Sequence, residues 1–566
     1  MIQNYIKSAW RNIIRDKTFS LINVFGLAIG LAICFLIGLY IKHQLSFDTF
    51  HKNSDNIYRV YIHGRFGGNE FKAPRTSNVT KEALLSEFSE VEQATRFAKF
   101  SQLIEYNDIR IVENDLMYAD SDFLKVFTFP MIDGDPENAL SKPHQIVLTE
   151  SIAEKYFGDK NPMGEVIRVG GERLFQVSGI CEDVPDNSHF SFDMLLSYSS
   201  SPMIEIDTWS QQSIFTYILL NKNINPEQFE KKLDVLVTDH AAADFKQAGN
   251  DLGTLDPESE FYNFKIQPLE DIYLHSDLDY EIEAVGDIST VWFFSAIALF
   301  VLLIACINFM NLATARFSNR AKEVGIRKVL GSKKQQLIIQ FLTESVLIVL
   351  AALFIGTSLF EFALPAFNNL IQQNLEINYL SKWYILPGLF GFAVFIGVLA
   401  GSYPALFLSS FNPVKILKGS YNKGIGGTRL RGILVTIQFV ITISLFVSTY
   451  IIFKQNHFMA NKDMGFDQER LLVIENATSL NDNIHPFINE LRKYPQVSKV
   501  TGSYNIPGKG YSGYTMRKMD KPEDGHFNFV MNFVDEKYLN TLDIKLLTGR
   551  DFTGNYTSDT GTVVVN

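Results

Sequence analysis

Side chains able to do chemistry are scattered through this sequence, and only one group of them is dense. His189 and Asp186 in "VPDNSHF" could suggest a metal, but a single histidine beside a proline turn reads as local turn chemistry. Asp277, Asp279, Glu281 and Glu283 alternate with other residues and resemble a calcium loop only in composition; the pattern is that of a solvated acidic strand. Cys34 and Cys306 lie in apolar runs and Cys181 has no partner in view, which argues against a disulfide framework or a cysteine metal site. The sequence holds no G-x-x-x-x-G-K-[ST], H-E-x-x-H or G-x-S-x-G. The reading is a non-catalytic chain with no cofactor of its own and no nucleic-acid partner. What remains is "RAKEVGIRKVLGSKKQQ", Arg320 to Gln336, a basic run with a helical pattern.

That run sits between two segments apolar enough to cross a bilayer. Hydrophobic residues make up 46% of the chain, yet 20% are charged, a mixture that predicts membrane spans joined to water-exposed domains. Leu21 to Ile41 carries no charge and is long enough for one span; it lacks a small-residue cleavage site and is read as retained. Further spans are predicted over 290–315, 337–363, 384–410 and 433–453. Trp292, Trp383 and Tyr384 suit an aromatic belt at span ends.

Basic residues set the orientation. Net charge is +3 over residues 1–20, +6 over 316–334 and +5 over 411–431, whereas loop 364–383 has only Glu376 and Lys382. Alternation of these loops predicts five spans with a cytoplasmic N-terminus. The expected layout is a cytoplasmic amphipathic helix at 1–20 lying along the membrane, a span at 21–41 and an extracytoplasmic α+β domain at 42–289. A three-span unit at 290–410, a cytoplasmic linker at 411–432, a span at 433–453 and a second extracytoplasmic domain at 454–566 follow. The fold class is therefore an α-helical membrane protein with α+β extracytoplasmic domains.

The chain also repeats itself. "SDFLKVFTFPMIDGD" resembles "EKYLNTLDIKLLTGRD", with Phe123 matching Tyr538, Leu124 matching Leu539 and Gly134 matching Gly549 at an offset of 415. "HQIVLTE" resembles the final "GTVVVN", which stops where the first copy enters its next helix. The expectation is a truncated second repeat, with more outside domain and three more spans to complete it.

In a helix, Arg320, Glu323 and Arg327 share one side, while Ala321, Gly325 and Val329 follow i, i+4, i+8 on another. Glu323 can pair with either arginine. Gly331 supplies a stop, and Ser332 to Gln335 has the capping-box spacing for restarting a helix. Charge alone allows a mere topological anchor; the apolar stripe and the defined break favour a docking element. Within the spans, Glu344 is the exceptional acid, read as a carboxylate near the interface satisfied by Ser345 or the basic loop. Asn308 and Asn311 read as hydrogen-bond glue between helices.

"ARFSNRAKEVGIRKVLGSKKQQLIIQFLTESVLI" resembles the signature of MacB/FtsX-type ABC-transporter permeases, in which an E-[IV]-G-I-R-K-x-L-G segment forms the cytoplasmic coupling helix. Glu323, Val324, Gly325, Ile326, Arg327, Lys328, Leu330 and Gly331 match, and the resemblance places the coupling helix at 318–331. "AGSYPALFLSSFNPVKILKG" is similar to that family's fourth-span end, with Tyr403, Pro404, Ala405, Pro413 and Leu417 in place. "FDTFHKNSDNIYRV", "EDVPDNSHFSFDMLLS" and "SAIALFVLLIACINFMNLATAR" resemble the long, tandem-duplicated Bacteroidetes-type members. The resemblance implies a MacB-like core domain after the first span and an FtsX-like domain after it, in the bacterial inner membrane. It also implies a separate ABC ATP-binding subunit, taken as a homodimer holding the ATP and Mg. Export would add a periplasmic adaptor and an outer-membrane channel as partners. The alternatives are ATP-driven signalling or regulation of a periplasmic cell-wall enzyme, and lipoprotein release.

Overall fold

The structure is a computed structural model. It describes residues 14–66, 69–247, 261–315, 324–377, 383–409 and 425–565 apart from 463, 467–469, 476, 507–511, 518–525, 555–558 and 560–561, together with 7, 9 and 11. Half of the amphipathic helix expected at 1–20 and most of the linker expected at 411–432 lie outside the described residues.

Five helices are long and apolar enough to cross a membrane. Span 1 is Lys17–Gln44, span 2 Ile288–Ala315, span 3 Lys334–Ile371, span 4 Ile385–Ser409 and span 5 Ile425–Ala460. Several outrun the apolar stretches that mark them, because a helix closes its own hydrogen bonds and can continue past the hydrocarbon. Span 3 has 38 residues, about 57 Å at helical rise, against a hydrocarbon core of about 30 Å. Spans 1 to 4 share one apolar cluster that includes Leu27, Leu31, Phe309, Ile348, Ala352 and Ile396. Small residues let the helices approach: a Cβ on Gly356 of span 3 would lie 3.0 Å from the Ala28 carbonyl oxygen of span 1. The apolar stretch of span 5 buries nothing against the described chain.

The water-exposed domain is a mixed sheet. Its strands are β1 Ile57–Phe66, β2 Asn69–Ala73, β3 Thr76–Ser77, β4 Val91–Tyr106, β5 Ile109–Ala119, β6 Met131–Gly134, β7 Gln145–Thr149, β8 Val166–Val169, β9 Arg173–Cys181, β10 Met194–Ser197, β11 Gln212–Leu220 and β12 Phe261–Pro268. Pairing runs β4-β5-β10-β7-β9-β8 and returns to β4, so six strands close into a ring. The period-2 alternation of strands explains how one ring serves two cores. Ile146, Leu148, Leu116, Tyr118, Met194, Leu196, Phe175 and Val177 join one cluster, and their neighbours Val147, Met117, Ala119, Leu195 and Cys181 join the other. The second cluster is rich in phenylalanine: Phe97, Phe123, Phe127, Phe129, Phe190 and Phe192 interlock, several of them edge to face. From β4 the sheet continues as β11-β1-β12, whose other face carries Val60, Ile62, Ile218 and Phe264 into a third cluster.

Residues of the C-terminal region form a hairpin of β13 (Ser512–Arg517) and β14 (His526–Met531). A turn there has the same hydrogen bonds as one in the larger domain, 415 residues earlier. Asp120 accepts from the Arg96 amide at 3.0 Å and Asp535 from the Gly502 amide at 2.8 Å. Phe123 N–H reaches Asp120 O at 3.1 Å and Tyr538 N–H reaches Asp535 O at 3.2 Å, each opening a short helix, Phe123–Val126 and Tyr538–Thr541. Residues 562–565, expected to run as a strand like β7, form none; an extended segment becomes a strand only when a neighbour pairs with it.

Burial, then the neighbouring Asp115 and Glu113, pushes the Asp193 carboxyl from 3.8 up to about 6. The folded state thus holds that proton more tightly than the unfolded chain, and its stability falls as pH rises from about 4 to about 6. Asp193→Asn should remove this slope and raise the midpoint at pH 7 by about 2–4 °C, measured by thermal unfolding of the solubilised chain against pH.

Candidate functional site

The connection between spans 2 and 3 is helical over residues 324–329. Arg320, Ala321 and Glu323 lie outside the described residues. Val324 is buried (3% exposed), and with Leu337 and Phe341 of span 3 and Ala405 of span 4 it forms a small apolar cluster; Gly325 beside it is also buried. Two cations reach inward. Arg327 Nη1 donates to Gln340 Oε1 at 2.7 Å, and Lys328 Nζ donates to the Ser409 carbonyl at the end of span 4, also at 2.7 Å. Burial, then the neighbouring Lys334, moves the Lys328 ammonium below its ordinary range.

The helix stops by a defined mechanism. Ser332 N–H bonds Arg327 O at 3.0 Å, Gly331 N–H bonds Lys328 O at 3.1 Å, and Gly331 has φ +97. This is the paired bonding of a Schellman stop, which needs a left-handed residue that glycine adopts without Cβ strain. Span 3 restarts at once, with Gln336 Oε1 accepting from the Lys333 amide at 3.0 Å. The sequence spacing put that cap at Ser332 and Gln335, one residue early; the Ser332 amide is already committed to the stop.

The outward face differs from the expected stripe. Gly325 is buried, but Val329 is 64% exposed, and Ile326 and Leu330 are 52% and 80% exposed. Three aliphatic side chains of this segment are thus exposed, outside the small cluster that seats Val324.

Within the spans, Glu344 is buried (5% exposed), and the Ser345 hydroxyl expected to satisfy it donates instead to the Phe341 carbonyl at 3.0 Å. A Cβ on Gly26 of span 1 would lie 3.5 Å from Asn308 Nδ2, so Asn308 faces that helix. Asn311 is buried, and its Oδ1 has no hydrogen-bond partner among the described residues, contrary to the interhelical bond expected of it. The buried polar side chains of spans 1 to 3 include Ser20, Asn23, Asn311, Gln340, Glu344 and Ser345, toward the helix ends that adjoin the basic loops, and Gln44 at the opposite end of span 1.

Two readings of the outer domain are corrected. His189 is more than turn chemistry: its ring is buried, with Nδ1 2.9 Å from Asp48 Oδ1 and Nε2 2.7 Å from the Tyr217 hydroxyl. The acidic run is no strand either, and of its four acids Asp277 and Asp279 are exposed while Glu281 and Glu283 turn inward. Residues 276–287 form no strand, and Asp277 pairs with Lys72 at 2.5 Å, Glu281 with Arg59 at 2.5 and 2.8 Å, and Glu283 with Lys99 at 2.7 Å. Alternation placed these acids on one side of an extended segment, but their partners come from strands distant in sequence. Asp48, Arg59 and Tyr217 were not singled out at all. The available signal was an arginine inside the apolar alternation "IYRVYI". Among the described residues, no three His, Cys, Asp or Glu side chains are arranged to hold a metal. A cleft of about 350 Å³ opens beside Phe100, Tyr118, Arg173 and Met203.

Residues 20–236 match the model of the MacB-like periplasmic core domain, and residues 295–413 that of the FtsX-like permease C-terminal domain. Among curated relatives, the macrolide export ATP-binding/permease protein MacB of Neisseria meningitidis is 23% identical over 416 residues, covering 72% of this chain and 59% of that protein. The ABC transporter permease YknZ of Bacillus subtilis is 24% identical over 274 residues, covering 48% of this chain and 61% of that one. The chain thus spans about six tenths of the length of these relatives. A solved permease-protein domain from Porphyromonas gingivalis is 23% identical, covers 38% of this chain and 91% of its own, and has a TM-score of 0.34. The periplasmic region of MacB from Actinobacillus actinomycetemcomitans is 17% identical, covers 39% and 91%, and has a TM-score of 0.28.

Gly331→Val should strain the stop by about 1–2 kcal/mol and speed tryptic cleavage after Arg327 and Lys328 in the solubilised chain. Gly331→Asn, which tolerates left-handed backbone, should stay close to the parent rate.

Proposed function

Because the chain belongs to the MacB/FtsX-type permeases of ABC transporters, we propose that it passes the work of a separate ATP-binding subunit across the membrane to its outer domain, in the service of export. The site lies in the bacterial inner membrane with the N-terminus, the 316–334 loop and the 411–431 loop on the cytoplasmic side, where their net charges of +3, +6 and +5 belong. The observation that carries the reading is the short helix ending at Gly331. Its inner side is held by Val324, Arg327 and Lys328 to spans 3 and 4, and its outer side presents Ile326, Val329 and Leu330 to water. An apolar surface mounted on a charged, anchored turn is what a partner subunit would push against.

ATP binding would close the ATP-binding dimer and displace this turn. Its seat against both spans, and the immediate restart of span 3 after Ser332, leave little slack between the turn and the helix. Span 3 packs on span 1 through Gly356 and Ala28, so displacement reaches span 1 as a shear of packed helices. Movement of the outer domain, more than passage of a substrate between the spans, is what the bundle favours: spans 1 to 4 meet in an aliphatic and aromatic cluster. Export would then enlist a periplasmic adaptor and an outer-membrane channel.

The double variant Ile326→Glu, Leu330→Glu should cut co-purification of the co-expressed ATP-binding subunit at least tenfold, about 1.4 kcal/mol or more, while the chain's abundance in the membrane is unchanged. Undiminished association and ATPase activity would remove the docking role.

A further inference from the structure

The outer domain is joined to the membrane helices by two tethers, residues 48–51 after span 1 and 276–287 before span 2. Each tether puts one carboxylate into the domain's interior. Asp48 is fully buried, and Glu281 meets Arg59, itself fully buried on β1. Between those two acids the structure supplies a row of neighbouring polar side chains. Asp48 Oδ1 lies 2.9 Å from His189 Nδ1 and accepts from the His189 amide at 3.2 Å. His189 Nε2 lies 2.7 Å from the Tyr217 hydroxyl, and Tyr217 is the direct cross-strand partner of Arg59, whose charge acts on that hydroxyl. Arg59 then holds Glu281 through both guanidinium ends, at 2.5 and 2.8 Å, with Gln267 at 2.6 Å and Ser276 at 3.1 Å completing its partners.

The path follows the sheet. Tyr217 on β11, Arg59 on β1 and Gln267 on β12 are direct cross-strand partners, so three adjacent strands each contribute one polar side chain to a single row. On either side of that row the face is apolar, with Ile57, Phe215, Leu219 and Leu269 in the phenylalanine-rich cluster. Apolar side chains of similar size would stabilise such a core as well as a buried ion pair does, because desolvation of the charges offsets their attraction. What the charges add is specificity: each tether has one position in which its carboxylate is satisfied, and losing it leaves a buried charge unpaired.

We propose that Asp48–His189–Tyr217–Arg59–Glu281 is a latch that makes the two tethers move as one, so that displacement of either is delivered to β1 and β11. The proposal takes its purpose from the mechanical reading above, but its structural content is independent of any ATP-binding subunit. Two control features bound it. Glu283 and Lys99 form a second ion pair on the same tether, 2.7 Å apart, outside the row. Asp48 N–H donates to Asn187 O at 2.8 Å and Asp279 N–H to Lys72 O at 2.7 Å, giving each tether its own reporter amide.

The test is hydrogen–deuterium exchange on the full chain in lipid nanodiscs, without ATP-binding subunit, so its failure is separable from failure of the docking experiment. Glu281→Gln keeps the shape and removes the charge; it should speed exchange about tenfold in peptides covering residues 46–52 as well as 276–287. Asp48→Asn should do the reciprocal, and β7 and β10 should keep parent rates in both. Tyr217→Phe deletes only the hydroxyl and leaves His189 Nε2 without that partner. In that background Glu281→Gln should loosen 276–287 alone. Glu283→Gln should loosen its own tether and leave 46–52 unaffected. Exchange that rises only at the mutated tether in Glu281→Gln and Asp48→Asn, or an unchanged cross-effect in the Tyr217→Phe background, would overturn the latch.

Discussion

A guanidinium with no exposure to water is the constraint around which the outer domain is arranged. Arg59 sits in β1 between strands on both sides, and a charge in that position is tolerable only when paired and hydrogen-bonded, which both of its terminal nitrogens are. Its carboxylate comes from Glu281, more than two hundred residues away in the chain, and its neutral partners from Gln267 and Ser276. Satisfying one arginine therefore draws the returning tether back over the sheet. The departing tether meets the same row through Asp48 and His189, which is why a domain inserted between two membrane helices has both ends fixed near one place in its sheet.

The rest of that domain follows from strand alternation and closure. A ring of six strands has no free edge within it, and each strand can commit both faces to apolar packing. β10 is buried at every position for this reason. Long strand β4 serves two structures at once: its first part pairs with β11 and its last part with β8, with a register shift between Phe100 and Gln102 where β5 follows the bend.

The turn between spans 2 and 3 solves a different problem. A loop between two spans must present a surface without moving relative to the helices that carry it. Val324 in its apolar seat, Lys328 on the span 4 carbonyl and the left-handed Gly331 leave the segment little freedom. Positive charge here has two separable jobs. In the proposed orientation it keeps the loop on the cytoplasmic side, and through Arg327 and Lys328 it ties the turn to its own bundle, leaving the exposed surface to the aliphatics Ile326, Val329 and Leu330.

Much of this was legible in the residues alone. Span positions, the α+β outer domain and the helix stop at Gly331 all rest on short-range regularities: length of apolar runs, period and glycine placement. Such signals survive without tertiary structure because lipid and local backbone sterics act on each segment separately. The roles of Val329, Ser332, Asn311, His189 and the acids from Asp277 to Glu283 were not legible. For each, local pattern offered a neighbour in sequence, and the folded chain supplied a different partner or none. The sequence determined where the membrane is and where the chain turns. Only the tertiary structure decided which charges meet, because pairing Glu281 with Arg59 and Asp48 with His189 depends on strand order and register, and a single chain's periodicity carries no record of either.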